Sequence, residues 1–183
     1  MAAKIAYCTF CGAEFTGKLR LKDGSSMCWD CRTKYGKSYD VKWDAITKEE
    51  VSLLENIPVR GEDYPADFTF DSFVANTTEG LFSIKGSRDL FSIKAIKKYY
   101  IEFEMRESRS GNNFLDKARM VFELSAPVPM KISQSIQREK EGVLDVFDIL
   151  NVKGKNSYKK KNEPFLAFLQ KATGMPPAKP TTI

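Results

Sequence analysis

Residues 8–31 read CTFCGAEFTGKLRLKDGSSMCWDC and hold all four cysteines of the chain. Cys8 and Cys11 form one Cys-x-x-Cys pair, Cys28 and Cys31 form the other, and sixteen residues separate the pairs. That spacing lies in the range of four-thiolate metal sites, where each tight turn supplies two sulfurs. Gly12, directly after the first pair, suits a knuckle whose backbone amides point at the sulfurs. Lys18 to Lys22 alternates basic and apolar residues, Asp23-Gly24 predicts a two-residue hairpin turn, and Ser25 to Cys28 returns as the second strand. Arg32 to Tyr35 then predicts a short helix with a stop at Gly36. Knuckle, hairpin and helix make a zinc ribbon or treble clef over residues 1–40, with Cys8, Cys11, Cys28 and Cys31 holding one structural Zn2+.

Other uses of four cysteines compete with this one. The first thirty residues lack the apolar core of a signal peptide, so a reducing cytoplasm is expected, and two disulfides do not suit it. A redox-active pair needs a preceding strand and a long following helix. An iron–sulfur cluster also takes four thiolates and stays as the alternative occupant. With all four positions filled by sulfur, no coordination site is left for water or substrate, and a segment so poor in apolar residues depends on its metal to fold.

The remaining sequence predicts an α+β protein. Thr47-Lys48-Glu49-Glu50 is a capping box that opens a short helix carrying Val51, Leu53 and Leu54, within a linker of residues 41–65. Pro58 to Pro65 marks the expected boundary. From residue 66 to 150 the apolar period becomes two: Tyr99, Ile101, Phe103 and Met105 share one strand face, and Met120, Phe122 and Leu124 repeat the pattern. Leu81 to Lys85 recurs word for word as Leu90 to Lys94, which predicts two strands of one hairpin. A turn is expected at Ser108 to Asn113, and residues 133–150 fit a helix on the spacing of Val143, Leu144, Phe147 and Leu150, with Val146 and Ile149 keeping a strand open over residues 143–150. These strands predict a mostly antiparallel β domain, a barrel or a sandwich. Residues 151–183 form a basic tail in which Pro164 is expected to open an amphipathic helix over residues 163–173, followed by disorder from Met175.

Cys8-x-x-Cys11-Gly12, Leu21-Lys22-Asp23-Gly24 and Cys28-x-x-Cys31 together resemble the N-terminal zinc-ribbon domain of a group of uncharacterised bacterial proteins. In several of those the ribbon precedes a pleckstrin-homology-like (PH-like) domain. The resemblance implies such a domain after residue 65 and a bacterial or phage source, and it implies no activity.

Composition narrows the function. The 183 residues include no histidine, which excludes imidazole bases, Ser-His-Asp systems and imidazole metal ligands. Glu102 and Glu104 share a strand face without any nucleophile or phosphate-loop motif, so no enzyme is expected. The longest apolar run, Phe165 to Leu169, has five residues, against ~20 for a bilayer span. Basic minus acidic residues give 8 − 5 = +3 for 1–44, 14 − 18 = −4 for 45–150 and 7 − 1 = +6 for 151–183. The expectation is a non-catalytic cytoplasmic adaptor that binds a protein, with Phe165, Leu166, Phe168 and Leu169 as a candidate docking face, the competing and favoured reading of that helix being that it packs back on the sheet and completes its own core. The alternative is nucleic-acid binding by Lys18, Arg20, Lys22, Trp29, Arg32 and Lys34, with Phe10 and Tyr7 nearby and with Lys159, Lys160 and Lys161 of the tail.

Overall fold

The computed structural model describes residues 5–17, 19–37, 39–84, 87–107, 113–138 and 157–183. At the amino end β1 (Ile5–Tyr7) pairs antiparallel with β2 (Glu14–Thr16), so the first cysteine pair occupies the turn of a hairpin. The second hairpin is tighter than a ladder: Arg20 bridges Ser26, the Leu21 amide donates to Ser25 O and the Gly24 amide to Leu21 O. Its loop therefore has three residues, Lys22-Asp23-Gly24, with only Gly24 in the left-handed region at φ +83°. This corrects the expected two-residue turn. Asp23 is used differently, accepting from Ser25 N and, across to the next helix, from Lys48 N.

Helix α1 (Trp29–Gly36) starts at the second cysteine pair. Its stop is Lys37, at φ 51°, and not Gly36. Gly36 serves a different need, because a Cβ there would lie 2.8 Å from Cζ2 of the buried Trp43. Gly36→Ala is therefore expected to cost about 1–3 kcal/mol through overpacking, read as a lowered urea midpoint with the slope unchanged.

The chain then lays β3 (Asp40–Val41) on the edge of the large sheet and makes a 3-10 turn at Trp43–Ala45. Helix α2 (Lys48–Glu55) follows with its capping box complete: Glu50 N donates to Thr47 Oγ1, and Thr47 N donates to Glu50 Oε2. Val51 and Leu54 are buried, whereas Leu53 faces solvent. Residues 58–60 run beside 88–90, with Leu90 N donating to Pro58 O and Arg60 N to Arg88 O. Close by, the buried Asp89 carboxylate accepts from Lys37 Nζ at 2.8 Å and from the Tyr39 hydroxyl, which also contacts Ser87 Oγ. Burial and this carboxylate push the Tyr39 hydroxyl pKa up, so the group stays a donor. A buried carboxylate requires such partners, and these come from the segment that follows α1.

Strands β4 (Phe68–Phe70), β5 (Phe73–Asn76), β6 (Leu81–Ser83) and β7 (Phe91–Ser92) form an antiparallel meander. Leu81↔Ser92 and Phe82↔Phe91 confirm that the repeated pentapeptide makes two paired strands. The large sheet contains β8 (Ile96–Glu107), β9 (Asn113–Leu124) and β10 (Met130–Arg138), with β3 on one edge. Residues 133–138, expected as part of a possible helix, thus continue a strand. The expected turn at 108–112 and the segment 143–150 lie outside the described residues. Register shifts near Ile96, Glu104 and Ser135 bend the long strands. Phe122 of β9 meets Phe73 and Phe82 of the meander at 5.9 and 5.4 Å, so the two sheets share one core.

Helix α3 (Ser157–Thr173) covers the meander. It begins before the expected residue 163 and carries Pro164 in its interior. The buried Asn162 extends the face of Phe165 and Leu169 upstream, while Pro164 is exposed, so the ring causes no clash with the core. The segment after α3 is ordered, against expectation. Tyr99 Oη donates to Met175 O at 2.6 Å and Ala178 N donates to Tyr99 O, and β11 (Thr181–Thr182) pairs in parallel with β8. It covers a long edge strand that would otherwise present unpaired backbone groups. Among the described residues, no helix is long and apolar enough to cross a membrane.

Candidate metal centre

The first pair is shaped by its own turn. Gly12 N donates to Cys8 O, Cys8 N donates to Ala13 O, and Gly12 takes φ +75°, a conformation that favours glycine. Thr9 N donates to Ser26 O and Ser26 N to Thr9 Oγ1, which clips the knuckle to the second hairpin. That clip delivers the second pair. Cys28 N donates to Cys8 Sγ at 3.4 Å, and Cys28 is the N-cap of α1, its own Sγ accepting from Cys31 N at 3.4 Å.

The four sulfurs all lie within 4.8 Å of one another, and Cys11 Sγ is 3.7 Å from Cys28 Sγ. A tetrahedron with Zn–S bonds of about 2.3 Å has sulfur–sulfur edges of about 3.8 Å, so the cluster is already near the size of a tetrathiolate shell. None of the four cysteines is in a disulfide. Cys8, Cys28 and Cys31 are buried, and Cys11 is exposed. The structure thus brings together the four cysteines that the sequence spacing singled out, as a group that could hold a metal ion.

Electrostatics inside the cluster are asymmetric. Burial acts to raise the Cys8 pKa, but hydrogen bonds from the backbone amides of Cys28, Cys11 and Phe10 outweigh it and lower the value to about 6. Burial pushes Cys31 up, helped by hydrogen bonds to the other sulfurs. Cys11 also shifts up: its Ala13 backbone hydrogen bond lowers it, and its contacts with Cys8 and Cys28 more than offset that. One thiolate therefore suppresses ionisation of its neighbours until a cation arrives. A depressed folded pKa stabilises the metal-free fold at high pH, and this contribution is lost as pH falls through about 6. The raised Cys31 and Cys11 act in the opposite sense, favouring the metal-free fold below their unfolded pKa and weakening it in alkali. Metal uptake at pH 8 is expected to release protons, but fewer than four, because thiols of the metal-free segment, with an ordinary pKa of about 8.5, are already partly ionised there. Calorimetry in buffers of different ionisation enthalpy measures that number.

No family model matches this chain, and neither does any curated protein or solved structure.

The other expected site residues divide. Phe165 and Leu169 are buried in the chain's own core, Phe165 lying 4.8 Å from both Phe70 and Phe73 by ring centroid. Phe168 stacks on Phe68 at 3.7 Å, and Leu166 is half-buried against the same core. The expected docking face is thus already occupied, because the meander leaves its aromatic side uncovered without α3. Arg20, Lys22 and Lys34 are exposed, Arg32 is half-buried, and Trp29 is 70% exposed. Lys18 and the side chains of Lys159, Lys160 and Lys161 lie outside the described residues.

Sequence reasoning missed two neighbours of the metal segment. Tyr35 packs on Phe10 at 5.3 Å, and Lys48 Nζ lies 5.9 Å above the Phe10 ring. Tyr35 sits six residues after Trp29 on α1, about 120° away around the helix axis, so the helical pattern carries little signal of it. The approach of Lys48 depends on tertiary structure and leaves no local signal.

Proposed function

We propose that this chain is a non-catalytic, zinc-containing binding module in which Cys8, Cys11, Cys28 and Cys31 hold one structural Zn2+. What carries this is a cluster made of cysteine sulfur alone, within 4.8 Å, three of its members buried. Four thiolates complete a tetrahedral shell, so the ion organises the fold and offers no open position to a substrate. The absence of histidine from the chain removes the commonest general base as well. The antiparallel β portion with its C-terminal helix supports the PH-like reading of residues 66–150.

In this role the module acts as an adaptor, and a protein partner meets a surface other than the apolar face of α3. Nucleic acid is the second reading, favoured by the cations set over aromatic rings around the metal segment. Elemental analysis of the purified chain tests the metal: one zinc per chain is expected, while iron with visible absorption, or a native fold without any metal, would overturn the assignment.

A further inference from the structure

The cysteine segment carries a stripe of rings and cations of which Tyr35 and Phe10 are partly buried against the core, while Trp29 at its end is exposed and unused by the fold. Trp29, Arg32 and Tyr35 follow one another at three-residue spacing along α1, placing Trp29 and Tyr35 about 9 Å apart along the axis. The Arg32 guanidinium lies 4.9 Å from the Trp29 ring centroid. Tyr35 has Lys34 Nζ at 4.9 Å and Phe10 at 5.3 Å, and Phe10 in turn has Lys48 Nζ at 5.9 Å. The stripe thus alternates aromatic faces and cations, from the second cysteine pair to the start of α2.

Trp29 is the residue that needs an explanation. It is 70% exposed, whereas Trp43, the other tryptophan, is buried. Helix α1 buries only Cys31 and Gly36, so Trp29 adds nothing to the core. Its neighbours on the helix are Asp30, Arg32 and Thr33, so the ring stands among polar side chains with a guanidinium beside it. A flat exposed ring with a cation next to it matches an unstacked base and its phosphate. Acidic groups share this flank: Asp30 follows Trp29, and Glu55 Oε1 is 3.8 Å from Lys34 Nζ. Net charge is therefore modest, and stacking supplies more of the recognition than phosphate contact does.

We propose that this flank of α1 binds single-stranded nucleic acid, with a base stacked on the open face of Trp29 and adjoining phosphates met by Arg32, Lys34 and Lys48. The inference rests on the zinc-held module, which fixes the orientation of α1 through Cys28 and Cys31. A duplex keeps its bases stacked internally and is bound poorly by such a surface. A free mononucleotide offers one base and one phosphate, and it engages only part of the stripe.

The metal-loaded full chain is titrated with a single-stranded oligothymidine of about ten nucleotides, with the same sequence as a duplex, and with thymidine monophosphate, following tryptophan fluorescence. The single strand is expected to quench the exposed indole and to bind at least about tenfold more tightly than duplex or mononucleotide. Read by the anisotropy of a dye-labelled oligomer, because these variants lack the reporting indole, Trp29→Ala is expected to weaken binding on the order of tenfold, and Trp29→Phe, which keeps a ring, to retain most of it. Three phosphate contacts give a slope of log affinity on log salt of about −2, and Arg32→Ala reduces it by about 0.7. Unchanged fluorescence, or equal affinity in Trp29→Ala, would overturn the proposal, as would equal binding of duplex. A mononucleotide that binds as tightly as the oligomer would replace the strand by a free nucleotide as the ligand and likewise overturn it. Zinc content, measured on the same samples, stands or falls separately: oligonucleotide binding can fail in a chain that holds its full metal.

Discussion

Cys28→Ser is expected to lose stoichiometric metal and to unfold residues 5–36 while the large sheet survives. Cys28 has three roles in one residue: its sulfur belongs to the cluster that could hold a metal ion, it caps α1 by accepting from Cys31 N, and its own amide donates to Cys8 Sγ. Apart from the cysteines, the segment up to α1 buries two large apolar side chains, Leu21 and Met27. At ~1.5–3 kcal/mol each, these are too few to hold so long a segment without a further tie. A structural zinc contributes about 10–16 kcal/mol of apparent binding free energy, enough to make metal binding and folding of the segment one event. A serine hydroxyl does not ionise at neutral pH and cannot replace a thiolate. Hydrogen exchange separates the outcomes. Amides of residues 5–36 should exchange quickly in the variant, while those of the β8–β9 ladder stay protected. Cys11→Ser, at an exposed position, should behave in the same way, since it removes a ligand without removing buried packing. If Cys11→Ser, like the parent, kept that protection with no metal bound, the cluster would be a packing feature and not a coordination shell.

What could be read from the chain and what could not divides along sequence distance. Cys-x-x-Cys turns, the capping box at Thr47 and the period-two runs around Tyr99 and Phe122 are local patterns, each carried by a few adjacent residues, and each is present in the structure. The pairing of Leu81 with Ser92 was also legible, because the repeated words lie close together. Residues with non-local purposes were misread. Gly36 looked like a helix stop, but it makes room for Trp43, and Lys37 bends the chain. Val41 pairs with Met130, and the prolines after Met175 concealed a two-residue strand that depends entirely on the exposed edge of β8. In the metal segment the donor set was visible at once, whereas the Phe10–Tyr35–Lys48 contact was not, because α2 brings Lys48 from outside the motif.

Phe165→Ala is expected to destabilise the whole chain by about 3–5 kcal/mol, a large share of the roughly 5–15 kcal/mol that a domain of this kind possesses. Phe165 has no exposed surface, and its ring is packed among Phe68, Phe70 and Phe73 at 6.3, 4.8 and 4.8 Å. Phe73 in turn touches Phe82 and Phe122, so a cavity at Phe165 opens onto the aromatic layer that joins the meander to β9. Rigid rings on short strands collapse poorly into such a space, which places the cost toward the upper end of the range. Urea unfolding gives the number, with Glu163→Ala, on the exposed side of the same helix, as a control that should stay within about 0.5 kcal/mol of the parent. A helix that detached to dock on a partner would give the reverse pattern: Phe165→Ala would leave the midpoint nearly unchanged and abolish capture of the partner. The stacking of Phe168 on Phe68 makes the same point independently, since undocking α3 would expose Phe165, Phe168 and Leu169 together with the aromatic face of β4 and β5. At ~1.5–3 kcal/mol for each large side chain returned to water, that opening costs as much as most of the fold is worth, so the apolar side of α3 belongs to the core.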